Sequence, residues 1–310
     1  MAAVVAVPSL TYEGVPLDDE LGGGLNNLIM NLAQILHDAC SRHAVLVLPH
    51  ITSGWRFFPA SNHSRQTLEF SDVFDSSYFI EQVQPCVAVA TAPPGAVFRR
   101  SKVVGINNRW PYDHALPRVY KALRPSARMR GVVDQLVASA SKLAGPSWSG
   151  VHLRIERDWW EVSPFCNRKR YPTQRCFIPS EVAALIDAHR HRLRSSGSVL
   201  FYASENIPRR GPRVNFSPFG PRTAKVQIPT GLPYTLRATA EFFLAARSPA
   251  GFYGNSFSTF SRGVALLRRM QGGTDTSSHG QRSFAYDCGA ALRETPSSAG
   301  GIRYLDTLNR

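Results

Sequence analysis

Residues 7–49, VPSLTYEGVPLDDELGGGLNNLIMNLAQILHDACSRHAVLVLP, decide the fold. Residues 7–12 have the composition of a short strand, and Gly22, Gly23 and Gly24 follow as a loop. Leu25, Leu28, Ile29, Leu32, Ile35, Leu36, Ala39 and Cys40 then recur with a helical period. Ser41, Arg42 and His43 lead into residues 44–48, a continuous apolar run of strand length, the pattern of a strand covered on both faces. Strand, glycine loop, helix and strand in this order predict a βαβ unit on a parallel sheet.

The same alternation returns further along. A helix is expected over residues 120–143 in spite of Pro125, ending at the breaker cluster Gly145, Pro146, Ser147, Trp148 and Ser149. Strands are expected over residues 151–155, 199–203, 225–228 and 251–254. Between them fall helices over residues 181–194, with Ser180 as N-cap, and over residues 235–247, with Leu236, Ala240, Phe243 and Leu244 on one face. A last helix covers residues 258–270. Residues 50–110 give only weak strand signals, at 87–90 and 103–106. The expected fold class is α/β, two Rossmann-like domains facing a cleft, residues 1–145 and residues 146–310. In such sheets ligands sit at the carboxyl ends of strands.

Composition limits the function. At 43% hydrophobic and 19% charged, the 310 residues belong to a globular chain, which excludes disorder over the whole length and a disulfide-stapled miniprotein. No run approaches the roughly 20 apolar residues of a membrane span. The balance of 36 basic to 22 acidic residues gives a net charge of +14, which attracts polyanions or phosphorylated small molecules at low salt, with a solvated basic surface as the plainer reading. The basic residues are not clustered in runs and no recognition motif accompanies them, so a nucleic-acid partner is not expected. Five cysteines show no CxxC and no grouping with histidine, so no metal is expected. Cys166 and Cys176 are a candidate bridge, which would suit an oxidising compartment; the odd total leaves at least one thiol unpaired within the chain. The first residues lack a basic n-region, and Pro8 breaks their apolar run, so no secretory signal is read and the protein is cytoplasmic if the start is complete.

Three segments lie just after strands. The first is GGGLNN, residues 22–27, which opens a helix whose N–H groups suit an anion; it is neither GxGxxG nor a phosphate loop with its lysine, and as a bare loop it reads as a turn. The second is GVHLRIERDWW, residues 150–160. There Val151, Leu153 and Ile155 point one way, while His152, Arg154 and Glu156 point the other. Either the segment is an exposed edge strand or Arg154 forks a phosphate and His152 hydrogen-bonds a neighbouring part of the ligand. The third is FYGNSFSTFSRG, residues 252–263, where Ser256, Ser258, Thr259 and Ser261 crowd a helix start that needs one cap. The surplus hydroxyls fit a diphosphate, with Arg262 and Arg154 as counter-charges.

The order GGGLNN, HLRIERDW and GNSFSTFS resembles the GDP-fucose protein O-fucosyltransferases and their relatives among the inverting fucosyltransferases of the two-Rossmann GT-B architecture, over residues 8–270. The resemblance implies a nucleotide-sugar donor, GDP-fucose, a protein or glycan acceptor, and no cofactor or metal. It places Gly23, Gly24, Leu25 and Asn26 beside the fucose and diphosphate. His152 and Arg154 become the HxR pair, with Arg154 the catalytic contact to the β-phosphate. Ser258, Thr259 and Phe260 hold the diphosphate, and Glu241 lies nearest the acidic residue that reads the guanine. It also implies the Golgi or endoplasmic reticulum. No Asp-x-Asp metal motif is present, and Asp18, Asp19 and Glu20 read as an acidic loop. The chain departs from the family at Leu28 and Ile29, where relatives often carry Gln-Arg, and at Gly23, where some carry a glutamate base. Asp158 and Trp159 match the end of the second motif, Glu156 and Asp158 are the nearby carboxylates, and the acceptor-activating base is unassigned. A non-catalytic nucleotide-sugar binder and a basic nucleic-acid-binding protein are the rival readings.

Overall fold

Apolar residues at helical spacing do form one face. The computed structural model describes residues 10–13, 25–41, 43–53, 66–84, 89–90, 96–99, 115–153, 183–184, 195–202, 216–219, 221–255, 258–271, 283–287 and 290–294. In it α1 spans Leu25–Ser41, and Leu25, Leu28, Ile29, Leu32, Leu36 and Ala39 are all buried. It lies between β1, Leu10–Glu13, and β2, Val45–Val47, which pair in parallel with Thr11 opposite Val45. His43 turns the chain into β2 with a left-handed φ of 51°, a conformation histidine tolerates better than most residues. The βαβ unit expected from residues 7–49 is present.

Packing sorts the chain into two units, residues 1–131 with 230–239, and residues 132–229 with 240–310. In the first unit β1 and β2 are joined by β5, Val89–Ala90, and β6, Ala96–Arg99, in a parallel sheet of order β5-β2-β1-β6. An antiparallel pair stands apart from it, β3, Ile51–Ser53, with β4, Gln66–Leu68. Two short helices follow, α2, Phe70–Val73, and α3, Ser76–Val83. The described part of residues 50–110 is thus more regular than its sequence suggests: β5 falls on the weak signal at 87–90, while 103–106 lies outside the described residues. Phe70 packs on Phe79 and Phe74 with ring centroids 5.0 and 5.3 Å away, a cluster whose aromatic residues carry no clean period.

The single helix expected over 120–143 is two. The first is α4, Ala115–Ala122, and the second is α5, Ala127–Ala144. Pro125 lacks an N–H and disfavours helical geometry at the residue before it, so the chain leaves the helix there. It bridges to Phe74 instead. Ser126 restarts the helix as a cap: its hydroxyl accepts from the Met129 N–H at 3.3 Å and donates to the Asp72 carbonyl at 2.9 Å, while its N–H donates to the Val73 carbonyl at 3.1 Å.

In the second unit the sheet has the order β12-β11-β10-β7-β8-β9. Its strands are β7, Trp148–His152; β8, Gly197–Phe201; β9, Thr223–Ala224; β10, Gly251–Asn255; β11, Ser283–Asp287; and β12, Ala290–Glu294. All neighbours run parallel except β11 and β12. Counted within the unit the order is 3-2-1-4-5-6, that of dinucleotide-binding sheets. The fold class is α/β with parallel sheets. Two expectations are corrected here. β7 lies between β10 and β8 with every residue buried, so its polar residues do not mark an exposed edge. Residues 225–228 form no strand: the ladder with β8 ends at Val199 opposite Ala224, and Lys225 instead reaches back, its Nζ donating to the Tyr202 carbonyl at 3.0 Å. Strands β11 and β12 were not legible in the sequence.

Two helices flank β10, α6, Tyr234–Ala246, and α7, Thr259–Gln271. Leu236, Ala240, Phe243 and Leu244 are buried along α6 as their spacing predicts. The helix expected over 181–194 is described only at residues 183 and 184, both helical. Cys40 is disulfide-bonded, and the candidate bridge between Cys166 and Cys176 lies outside the described residues. Among the described residues no helix is long and apolar enough to cross a membrane.

Arg268 of α7 is 5% exposed, and its Nη1 donates to the carbonyls of Ala246 at 2.7 Å and Ser248 at 2.8 Å. A cation thereby closes the negative end of α6. Burial lowers its pKa to about 10, so it stays charged at neutral pH. Arg268→Met is expected to leave both carbonyls short of a donor and lower stability by about 2 to 4 kcal/mol, read as a shift in the midpoint of urea unfolding.

Candidate functional site

Strands β8 and β9 build outward from one side of β7, and β10 then returns to the other, so the strand order reverses between β7 and β10. Crevices at such reversals, at the carboxyl ends of the strands, are where open parallel sheets take ligands. His152 is the last residue of β7, Asn255 is the last of β10, and α7 begins at Thr259. The described residues of two segments singled out in the sequence, His152 and Leu153 of one and Asn255 and Ser258 to Ser261 of the other, therefore meet at one end of the sheet.

They are joined by hydrogen bonds. His152 is 5% exposed, and its Nδ1 lies 2.7 Å from the Ser261 hydroxyl. That same hydroxyl accepts the N–H of Asn255 at 3.0 Å. Phe260 leans on the imidazole with ring centroids 4.7 Å apart at 40°, and the edge of Phe242 from α6 meets Phe260 at 5.7 Å and 81°. Gly254 makes the approach possible, since a Cβ there would stand 2.6 Å from the Ser261 Cβ and 2.8 Å from Phe252 Cε1. The glycine in FYGN is required by packing against α7.

The hydroxyls at the helix start have separate jobs. Ser258 is the N-cap: its Oγ lies 3.5 Å from the Ser261 N–H and its carbonyl accepts the Arg262 N–H at 3.0 Å. Its own N–H donates to the Asn255 carbonyl at 3.1 Å. Ser261 turns inward to His152 and Asn255, so it does not supply the surplus expected for a ligand. Thr259 and Phe260 are half-buried at the first two helical positions, where backbone N–H groups have no intrahelical acceptor. Those amides and the positive end of α7 suit an anion. Glu241 is half-buried on α6, next to Phe242. Arg154, Glu156, Asp158, Trp159 and Ser256 lie outside the described residues.

In the first unit, Leu25 and Asn26 open α1 and both are buried, while Gly22, Gly23 and Gly24 lie outside the described residues. The Asn26 carboxamide oxygen accepts from the Tyr120 hydroxyl of α4, and its Nδ2 lies 3.6 Å from the Met30 sulfur. Tyr120 is wholly buried, and that burial pushes its pKa well above the usual phenol value, so it remains a donor at any working pH. Leu28 and Ile29 face the core. Sequence reasoning missed Tyr120, Phe242 and the part played by Gly254, since each matters through a partner far away in the chain. It also missed a group after β8, where Phe216 stacks on Tyr202 at 4.9 Å and Lys225 Nζ sits 4.1 Å from the same ring. Burial raises the pKa of Tyr202. Among the described residues no three His, Cys, Asp or Glu side chains gather as a metal site requires.

Gly254→Ala should force α7 away from β10 and lower stability by about 1 to 3 kcal/mol, since the obstructing atoms belong to a helix-borne Cβ and a packed ring. The midpoint of thermal unfolding measures it; an unchanged midpoint would mean that α7 is not seated on Gly254.

No protein-family model matches the chain and no curated protein matches it in sequence. Solved structures do resemble it. POFUT1 in complex with GDP and POFUT1 in complex with GDP-fucose each align with a TM-score of 0.54 at 13% identity, over 84% of this chain and 94% of theirs. NodZ, an alpha-1,6-fucosyltransferase soaked with GDP-fucose, aligns with a TM-score of 0.53 at 13% identity, over 93% of this chain and all 100% of that one. At this identity the likeness is one of fold: the chain has a fucosyltransferase-like α/β fold.

Proposed function

We propose that this chain is a glycosyltransferase that binds GDP-fucose and transfers fucose with inversion to a hydroxyl of a protein or glycan, without a metal or cofactor. The observation that carries this reading is the junction of His152 with Ser261, 2.7 Å apart across 109 residues of sequence, at the reversal point of a parallel sheet. It supports a single site made from the HLR and STF segments, and a fold shared with POFUT1 and NodZ supports the donor. In this reading the amides at the start of α7, with Ser258, Thr259 and Phe260, take the diphosphate. His152 donates to a neighbouring part of the ligand, and Glu241 of α6 accepts from the N–H groups of the guanine. Gly23, Gly24, Leu25 and Asn26 line the sugar, with residues 1–145 serving the acceptor. Arg154 neutralises the β-phosphate as it leaves. Departure of GDP develops charge on that phosphate, so donors fixed in advance lower the barrier more than they tighten ground-state binding. The Cys40 disulfide supports an oxidising compartment such as the secretory pathway.

Leu28 and Ile29, buried where relatives often carry Gln-Arg, favour a second reading, a binder of nucleotide sugars without turnover. One series of measurements tests both. GDP and GDP-fucose should raise the melting temperature while UDP and ADP do not, because a ligand that binds only the native state stabilises it. Single-turnover incubation with labelled GDP-fucose should release GDP; binding without release selects the second reading. Arg154→Ala should slow release at least about a hundredfold, the effect of losing an oxyanion donor, with the melting temperature unchanged. No shift with any guanosine nucleotide would overturn the proposal.

A further inference from the structure

We infer that Ser261 is a positioning residue that holds His152, at the end of β7, as the Nε2–H tautomer. A serine hydroxyl has one proton and two lone pairs. One lone pair of Ser261 receives the Asn255 N–H at 3.0 Å. The other contact is His152 Nδ1 at 2.7 Å, and among the described residues the hydroxyl has no third partner. Were Nδ1 protonated, Ser261 would accept twice and its own proton would point at nothing, in a residue 4% exposed. With Nδ1 bare, the hydroxyl proton goes to the imidazole, and both the Asn255 amide and the Ser261 hydroxyl are satisfied. The ring proton of the neutral imidazole then resides on Nε2, across the ring from Ser261.

Two further contacts keep the arrangement in place. Phe260 packs against the imidazole, which restricts its rotation. Gly254 brings the β10 backbone against the Ser261 side chain and so holds the hydroxyl at the imidazole. An Nε2–H donor of this kind suits a diphosphate oxygen or a sugar hydroxyl, and that assignment of the ligand rests on the nucleotide-sugar reading above. The tautomer itself does not.

Long-range proton–nitrogen NMR on the full chain with labelled histidine reads the tautomer directly, and His152→Gln identifies the signal among the nine histidines. The wild type should show a protonated Nε2 and a bare Nδ1 at His152; a protonated Nδ1 would overturn the inference with no variant needed. Ser261→Ala should convert the signal to a mixture of tautomers and weaken GDP binding about tenfold, equivalent to about 1.4 kcal/mol. A packing role alone would lower the melting temperature and leave the tautomer as it was, which would also overturn it. Should the alanine variant fail to fold, Ser261→Cys, close in shape and a weaker donor, should move the tautomer ratio in the same direction. If the tautomer responds but the wild type binds no GDP, the positioning role stands and the nucleotide-sugar reading falls.

Discussion

One hydroxyl group joins the two halves of the site. Ser261 sits on the first turn of α7, yet it is bonded to the last residues of two strands, accepting from the Asn255 amide and contacting the His152 imidazole. Both strands are interior, so neither can shift to meet a misplaced helix without breaking a ladder on its far side. The helix therefore comes to the sheet. Gly254 allows this because it has no side chain at the crossing, and Phe260, one residue earlier on the helix, fills the space beside the imidazole. The same chain of causes orients the amides that begin α7: the helix start is directed by Ser258 and Asn255, and its position along the sheet by Ser261.

Interior strands also explain why so much polarity is buried there. Ser149, His152, Ser198, Asn255 and Ser261 are all nearly inaccessible. A parallel sheet covered on both faces normally carries apolar runs, and polar residues tolerated within it need a partner or a purpose. His152 and Ser261 satisfy one another. Gly150 contributes in the manner of Gly254, since a Cβ there would lie 2.8 Å from the Ser248 hydroxyl and 3.1 Å from Phe252. Close packing at these two glycines sets the spacing between β7, β10 and their helices.

Elements with a long, regular period were legible in the sequence. The α1 face, the buried run that became β2 and the apolar stripe of α6 could all be read because each repeats one rule over several turns or residues. The junction between HLR and STFS was legible as two candidate segments, and their meeting was not, because hydrogen bonding across 109 residues leaves no local pattern. One helix was expected through Pro125, yet a helix restart needs only a serine and one bridge to Phe74, neither of which stands out in a helical window. The edge-strand reading of β7 failed for a related reason: alternation of polar and apolar residues reports which faces differ, and says nothing of which neighbours pair. Short pieces such as α2, β5 and β6 take their structure from tertiary contacts, where local preference counts for little.

Several of the described basic residues are committed to the fold. Of the basic residues, Arg268 is buried as the cap of α6, Arg130 and Arg247 pair with Asp75 and Asp134, and Lys225 lies over Tyr202. These cations already serve the fold. What gathers at the ends of β7 and β10 is instead a set of neutral donors, the first amides of α7 and an imidazole whose geometry is fixed by Ser261. Neutral dipoles can be buried without the several kcal/mol that desolvating an ion costs, and dipoles held rigidly need no reorganisation when charge develops before them. For a leaving diphosphate the useful arrangement is therefore a preorganised cradle of N–H groups with a single cation supplied from its rim. In the proposed function that cation is Arg154, two positions beyond His152 in the sequence.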